Sequence, residues 1–162
     1  MRRFRPLADH AARAALWTAY RLLRVWWWLR RPYHRGAVVA IWLGPQILMV
    51  QHSYRRPLSW PGGGVRPGER AVAAAVRELR EELALDVPAA ALTFVGDLME
   101  RYEARYDHVH IFELRLARPP VLKPDGREVI AARFMTPQAA LARPLVPFIA
   151  RYLEERVRIT AG

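Results

Sequence analysis

Three glutamates and three consecutive glycines have the residue types and spacing to hold a divalent cation. Glu78, Glu81 and Glu82 lie in a segment with helical periodicity, and residues 62–64 are glycines that follow a proline. Mg²⁺ prefers oxygen ligands, including carboxylates and backbone carbonyls, and keeps waters that exchange with phosphate oxygens. Glycine allows close backbone approach and positive φ. The stretch 60–85 therefore predicts a metal site that faces a phosphorylated ligand.

The helix predicted over residues 69–83 separates its acidic side from its apolar side. At 3.6 residues per turn, the three glutamates share an arc of about 100°. The apolar stripe consists of Val72, Val76, Leu79 and Leu83. Carboxylates at i, i+3 and i+4 repel one another, so they are either balanced by Arg77 and Arg80 on a solvated face or neutralised by a cation. The adjacent glycines favour the cation.

This spacing resembles the signature of the Nudix hydrolases, G-x5-E-x7-R-E-U-x-E-E-x-G-U, in which U is a bulky aliphatic residue. The matching residues are Gly63, Glu69, Arg77, Glu78, Leu79, Glu81, Glu82 and Leu85. Ala84 stands where the family has its second glycine. The resemblance covers about residues 36–158 and implies an α/β fold: an α/β/α sandwich with a mixed sheet, to which an N-terminal amphipathic helix is added.

The resemblance also implies roles for individual residues. The ligands of Mg²⁺ or Mn²⁺ would be Glu78, Glu81, Glu82 and the carbonyl of Gly62. Glu69 and Arg77 would pair and hold the loop against the helix. Water would attack a phosphorus of a nucleoside diphosphate linked to another group X, with Glu78 or Glu82 nearest to that water. The group X stays open among nucleotide sugars, dinucleotides, ADP-ribose and nucleoside triphosphates.

Further site residues are expected outside this motif. Members of the family often add a glutamate from elsewhere, and the candidates in order are Glu128, Glu103, Glu100 and Glu113. Arg55, Arg56 and Glu128 are the predicted substrate-binding residues, with solvated loop arginines as the alternative. His108 and His110 share a strand face and are interpreted as structural. A nucleobase has four candidate stacking partners that the sequence does not separate, Trp42, Tyr54, Tyr102 and Tyr106.

Two outcomes are open at Ala84. Glycine at the end of a helix supplies a left-handed residue, and alanine in that conformation costs about 1 kcal/mol. Alternatively the helix runs one residue further, before Asp86 and Pro88 end it. Neither outcome moves the carboxylates, so we expect activity to survive.

Composition limits which classes of protein and which kinds of site this chain can form. The chain has 162 residues, of which 52% are hydrophobic, and this suits one folded domain with a buried core. It has no cysteine, which excludes disulfides and zinc–thiolate sites and agrees with a cytoplasmic location. No serine lies in a nucleophile-elbow pattern, so serine hydrolase chemistry is excluded. The further strands are predicted over 37–42, 46–52, 92–100, 106–117 and 128–134, and the further helices over 136–141 and 145–157.

An arginine- and tryptophan-rich segment, residues 1–35, precedes the domain at 36–162. The net charge of +11 is concentrated in this segment, which holds nine arginines and one acid. A helix is predicted over 7–31. One of its faces consists of Leu16, Tyr20, Leu23 and Trp27. The tryptophans at 26–28 point in three directions, so part of their surface must meet something outside that face.

Three interpretations of this helix are open. It packs on its own domain or on a second subunit of a homodimer, it lies in a membrane interface where tryptophan and arginine are favoured, or it is a membrane-spanning segment or a signal peptide. Spanning is disfavoured because Arg21 and Arg24 interrupt the apolar run. The functions to separate are a metal-dependent hydrolase, a catalytically silent domain that binds a nucleotide or RNA, and a membrane-peripheral hydrolase of a lipid-linked diphosphate. The three intact acids favour the hydrolase with a small-molecule substrate, and nucleic acid is not the expected partner.

Overall fold

The chain alternates between the strands of one sheet and helices that cover its two faces. The structure is a computed structural model that describes residues 6–30, 33–102 and 105–161. Its elements in order are helix α1 (Pro6–Arg30), strands β1 (Tyr33–Leu43), β2 (Gln46–His52) and β3 (Gly62–Gly64), helix α2 (Ala71–Leu83), strands β4 (Thr93–Tyr102), β5 (Arg105–Leu116) and β6 (Val129–Met135), and helices α3 (Pro137–Leu141) and α4 (Pro147–Ala161). The predicted elements are therefore present, with ends shifted by a few residues.

The sheet is mixed, as predicted. Its strand order is β4-β5-β1-β2-β6, and β3 pairs with β1. Strand β1 runs parallel to β5 along its whole length, whereas the β1–β2, β1–β3, β2–β6 and β4–β5 pairs are antiparallel. The central strand β1 is thus paired on both sides, and its residues alternate between the two faces of the sheet.

Two apolar cores lie on the opposite faces of this sheet. Helix α2 covers one face, where the fully buried residues include Val39, Ile41, Leu48, Val50, Leu79 and Leu83. Helices α3 and α4 cover the other, where they include Ala40, Ile47, Trp60, Ile149 and Leu153. Sequence neighbours in β1 and β2 belong to different cores, which is the strand period of two. The result is the predicted α/β/α sandwich.

The three glycines form a strand, so the prediction of a flexible loop is wrong at these positions. Gly62 pairs with Val38, and Gly64 pairs with Gly36, in the antiparallel β1–β3 ladder. The ladder holds β3 beside the centre of the sheet and leads the chain into α2. The predicted helix start is also wrong by two residues, because α2 begins at Ala71 and Glu69 lies in the turn before it.

Ala84 ends helix α2 in the left-handed conformation, with φ 53° and ψ 32°. Its N–H donates to the carbonyl of Arg80 at 3.1 Å, and the N–H of Leu85 donates to the carbonyl of Leu79 at 3.1 Å. The first of these bonds is that of the αL capping motif, which usually has glycine at this position. Of the two outcomes considered for Ala84, the strained left-handed residue is the one that the fold adopts.

Helix α1 lies against the end of the sheet at which strand β2 ends. Arg13 Nε donates to the carbonyl of Gly126 at 2.8 Å, and the Arg127 and Asp9 side chains lie 3.4 Å apart. The ring of Tyr20 lies 4.8 Å from that of Tyr54, centroid to centroid. Among the helices described, none is long and apolar enough to cross a membrane.

Candidate active site

Strand β3 lies close against both helix α2 and strand β1. A Cβ on Gly63 would lie 2.5 Å from Glu78 Oε1 of α2, and a Cβ on Gly62 would lie 2.2 Å from the carbonyl oxygen of Ala37 in β1. Gly62 also has φ 143°, which L-residues rarely adopt. The glycines therefore serve to bring backbone against the carboxylates of α2.

Glu82 is the acid that this approach buries. Its side chain is 3% exposed, Oε2 accepts a hydrogen bond from the N–H of Gly62 at 3.0 Å, and Oε1 lies 3.4 Å from His52 Nε2. Burial raises the pKa of Glu82 well above its usual range, and the nearby carboxylates of Glu128 and Glu78 add to the rise. To be ionised at neutral pH, a carboxyl group buried in this way needs a compensating positive charge.

His52 joins the site although the sequence analysis did not single it out. It is the last residue of β2 and is buried, and burial lowers its pKa well below the usual value. The imidazole is therefore neutral, which is the form that binds metals. Its signal was the alternation along β2, since Leu48 and Val50 face α2 and His52 continues that side.

Glu128 completes a cluster with His52 and Glu82. One ligand atom from each of these three residues lies within 4.8 Å of the other two. Tyr54 donates its hydroxyl to Glu128 Oε1 at 3.0 Å. Burial of Tyr54, together with this carboxylate, raises the pKa of its hydroxyl, so Tyr54 stays a donor at neutral pH. Three separate elements thus place a histidine and two carboxylates around one point.

Arg77 and Glu69 form a fork that fixes the turn before α2. Arg77 Nε and Nη2 donate to the two oxygens of Glu69 at 3.0 Å each, and Nη2 also donates to the carbonyl of Gly64 at 2.9 Å. The hydrogen bond from Arg77 lowers the pKa of Glu69 to about 2. The pair ties β3 to α2 without reaching the buried cluster.

The three acids of α2 have different surroundings despite their common arc. Glu78 is mostly buried against Gly63 and accepts a hydrogen bond from Arg77 Nη1 at 2.5 Å. Burial raises the pKa of Glu78. Glu81 is 49% exposed and lies 3.3 Å from Arg77 and 3.7 Å from Arg66. The acidic face thus runs from solvent at Glu81 to the protein interior at Glu82.

The two predicted phosphate-binding arginines differ in burial. Arg55 is half-buried, donates to Ser59 Oγ at 3.0 Å and lies 5.8 Å from the Tyr54 ring centroid. Arg56 is exposed, and the depression that it lines beside Trp17 is one that Arg55 lines too. Arg55 is therefore at the buried cluster, and Arg56 faces outward.

A cleft of about 230 Å³ opens from the cluster on the α4 face of the sheet. Arg55, Glu128 and Gly62 line the side towards β2 and β6, which we call the charged end. The part towards β5 and α4, which we call the apolar end, is lined by Val38, Val109, Val146 and Phe148, although the polar side chains of His34 and Asp107 also line it. The cleft thus has a charged end suited to phosphates and a more apolar remainder.

Several other candidates from the sequence lie away from this cleft. Glu100 pairs with Arg151, and Glu113 is buried in a cluster with Tyr152 and Arg156. Glu103 is outside the described residues. His108 hydrogen-bonds Tyr33 and Asp97, and its ring lies 4.4 Å from that of His110. Of the aromatic candidates whose side chains are described, Trp42, Tyr54 and Tyr106, Tyr54 is the one that lines the cleft. The side chain of Tyr102 lies outside the described part of the structure.

The donor set suits a hard divalent cation. Glu82 and Glu128 supply carboxylate oxygens, and the neutral imidazole of His52 adds a nitrogen. Glu78 is near enough to contribute to the raised pKa of Glu82. Burial raises the pKa of Glu78 and of Glu82. A bound cation would relieve the cost of ionising these two acids.

Comparison with known proteins identifies the domain. The sequence profile of the NUDIX domain matches residues 32–155, more than half of the chain. No curated protein sequence matches. Among solved structures, an Ap4A hydrolase of C. elegans has a TM-score of 0.66 at 22% identity, covering 80% of this chain and 98% of its own. The E. coli dihydroneopterin triphosphate pyrophosphohydrolase has a TM-score of 0.64 at 23% identity, covering 76% of this chain and 95% of its own.

A third similar structure was solved with manganese. It is a bifunctional NMN adenylyltransferase/ADP ribose pyrophosphatase of Francisella tularensis in complex with AMP and a Mn ion, with a TM-score of 0.64 at 18% identity, covering 89% of this chain and 47% of its own. At these identities the likeness shows the shared fold. The profile match, the sheet topology and the complete set of acids agree, and the chain belongs to the Nudix family.

Proposed function

We propose that this protein hydrolyses the pyrophosphate bond of a nucleoside diphosphate linked to another group X, in a reaction that depends on Mg²⁺ or Mn²⁺. The observation that carries the proposal is the burial of Glu82 between the N–H of Gly62, His52 and Glu128 at the charged end of the cleft. A domain that only binds a nucleotide has no use for a buried, uncompensated carboxylate. The silent nucleotide- or RNA-binding alternative is therefore disfavoured.

The residues around the cluster have two kinds of role, metal binding and positioning. Glu82, Glu78 and Glu128 hold the cation, with Glu81 and the Gly62 carbonyl as the remaining ligands expected for the family. When bound, the cation neutralises phosphoryl oxygens and lowers the pKa of water. Glu69 and Arg77 are positioning residues, because they fix the turn that joins β3 to α2.

The proton of the attacking water goes to Glu78 or Glu82. Both carboxylates adjoin the glycines of β3, Glu78 at Gly63 and Glu82 at Gly62, so either can lie within reach of a water beside the cation and accept its proton. The water oxygen forms a bond to one phosphorus as the bridging P–O bond breaks. The two products each carry a terminal phosphate, and no redox partner is required.

The substrate phosphates are expected at the charged end of the cleft, next to Arg55. Its guanidinium is held by Ser59 and rests near the Tyr54 ring, so it is ordered before substrate binds. The nucleoside then occupies the apolar end beside Phe148. Arg56 is exposed, so we assign it a minor role at most in phosphate binding.

The test is a screen of nucleoside diphosphate derivatives with Mg²⁺ and Mn²⁺, in which phosphatase coupling reports the phosphate released. Glu82→Gln should lower turnover more than about 100-fold, since even partners of metal ligands cost 10–100-fold. Circular dichroism should show an intact fold. Glu155→Gln, an exposed glutamate of α4, is the matched control and should keep full activity. Unchanged turnover in Glu82→Gln would refute the proposal.

A further inference from the structure

Helix α1 lies outside the residues matched by the family profile, yet it forms a wall of a second cleft at the site. This cleft, of about 250 Å³, is lined from α1 by Leu16, Ala19, Tyr20, Leu23 and Trp27. Its other wall is Tyr54, Arg55 and Glu128. The same three residues also line the first cleft, so the two clefts lie on either side of these side chains at the charged end. A diphosphate bound beside Arg55 would have one cleft available for each of its two substituents.

The lining of the α1 cleft is largely apolar away from the charged end. Its α1 side offers three aliphatic side chains and two aromatic rings, whose polar atoms are the Tyr20 hydroxyl and the Trp27 indole nitrogen, and Arg55 and Glu128 stand at the boundary with the first cleft. A second nucleobase or a sugar has more polar groups than these two atoms can pair, and each unpaired group would lose its hydration. A hydrocarbon group needs no hydrogen-bond partner. Leu23 lines the cleft and is still 45% exposed, so apolar surface there is left for an occupant.

An exposed apolar stripe continues from this cleft along α1. Its members are Leu22, Val25, Trp26 and Leu29, which are 48–66% exposed. At 3.6 residues per turn the stripe spans an arc of about 100° and borders the side of α1 that carries Leu23. Arg21 and Arg24 lie on its far side. Tryptophan and leucine flanked by arginine suit the interface of an anionic bilayer.

We propose, on the basis of the hydrolase function above, that the group X of the substrate is a hydrocarbon chain. The α1 cleft seats the part of the chain next to the diphosphate. The stripe of α1 rests on an anionic lipid surface, from which the chain enters the cleft. The substrate class is therefore a diphosphate with a nucleoside on one phosphate and a lipid on the other.

The test measures binding, so that it does not depend on turnover. The probes are two methylene-bridged nucleoside diphosphates, one esterified with a methyl group and one with a dodecyl group, titrated with Mg²⁺ present. The dodecyl compound should bind at least about tenfold more tightly, and Leu23→Gln should remove that preference while leaving the methyl compound unchanged. Ala14→Gln, which introduces the same side chain at an exposed position of α1 outside the cleft lining, is the control.

The lipid surface is tested with vesicles of phosphatidylcholine containing phosphatidylglycerol. The full-length protein should co-sediment with them, and Trp26→Gln should reduce the bound fraction several-fold without changing dodecyl binding in solution. Equal affinity for the two probes, or equal loss of both in Leu23→Gln, would overturn the proposal. So would a stable homodimer, found by analytical ultracentrifugation, that Trp26→Gln dissociates. If Glu82→Gln fails to reduce hydrolysis, only the proposed catalytic function is refuted.

Discussion

Replacing Ala84 by glycine should stabilise this protein, because the fold places an alanine where the backbone is left-handed. Ala84 has φ 53° and lies exposed at the end of α2. Two backbone hydrogen bonds fix this conformation. The N–H of Ala84 donates to the carbonyl of Arg80, and the N–H of Leu85 donates to the carbonyl of Leu79. Its side chain offers no buried contact that glycine would lose. The substitution therefore isolates the backbone cost.

The magnitude follows from two opposing terms. A left-handed L-residue costs about 1–2 kcal/mol because its Cβ crowds the following carbonyl. Glycine removes this cost but gives the unfolded chain about 0.5–1 kcal/mol more conformational freedom. The expected net stabilisation is about 0.5–1 kcal/mol. At about 2–4 °C per kcal/mol for a domain of this size, the Tm should rise by about 1–4 °C.

Thermal and urea unfolding followed by circular dichroism would measure the change. Ala73→Gly is the matched control, because Ala73 is an exposed alanine within the right-handed part of α2, where glycine should destabilise by up to about 1 kcal/mol. Turnover by Ala84→Gly should equal that of the wild type, since Glu82 is held by Gly62 and not by the helix end. A loss of stability in both variants would refute the assignment of a strained residue.

Other predictions concern the acids and the glycine strand. Glu128→Gln should lower turnover with little loss of stability. Glu113→Gln should do the opposite: it should lower stability because it disrupts a buried cluster, and it should leave the turnover of the folded protein unchanged. Burial raises the pKa of Glu82, so protons compete with the metal for this carboxylate at a higher pH than they would for an exposed acid. In Mn²⁺ titrations, the affinity of the protein for Mn²⁺ should fall as the pH drops through that raised pKa. The fall should be smaller in Glu82→Gln. Gly63→Ala should abolish turnover by displacing the Glu78 carboxylate, and a variant with wild-type kinetics would contradict the close approach of β3 to α2.

Spacing within one helix is what the sequence reveals best. The arc shared by the acids and the separate apolar stripe follow from 3.6 residues per turn, and both hold in α2. Helical phase does not show how deeply each side chain is buried, however. Glu81 is 49% exposed and Glu82 is 3% exposed although they are adjacent, because β3 and β2 cross the helix on the Glu82 side. That crossing belongs to the tertiary structure, and nothing in the local sequence of the helix predicts it.

The glycine strand shows how a correct interpretation of residue chemistry can accompany the wrong local structure. Three glycines predict a mobile loop from propensity alone, since glycine is unfavourable in strands. Here Gly62 and Gly63 are needed because any Cβ would collide with Ala37 or Glu78. The chemistry expected of the glycines was close approach, and the sheet provides it by pairing them with β1.

Pairing between distant strands explains why the sequence could rank the outlying glutamates but could not place one of them at the site. Strand β2 pairs with β6 in a register that sets His52 opposite Val129, so Glu128 arrives beside His52 although the two are far apart in the chain. Glu100 and Glu113 lie on β4 and β5, on the other side of the central strand, where their own arginine partners hold them. A one-residue slip of the β2–β6 register would turn Glu128 away from Glu82. The irregularity in this ladder between Gln51 and His52 therefore lies where the metal cluster is assembled.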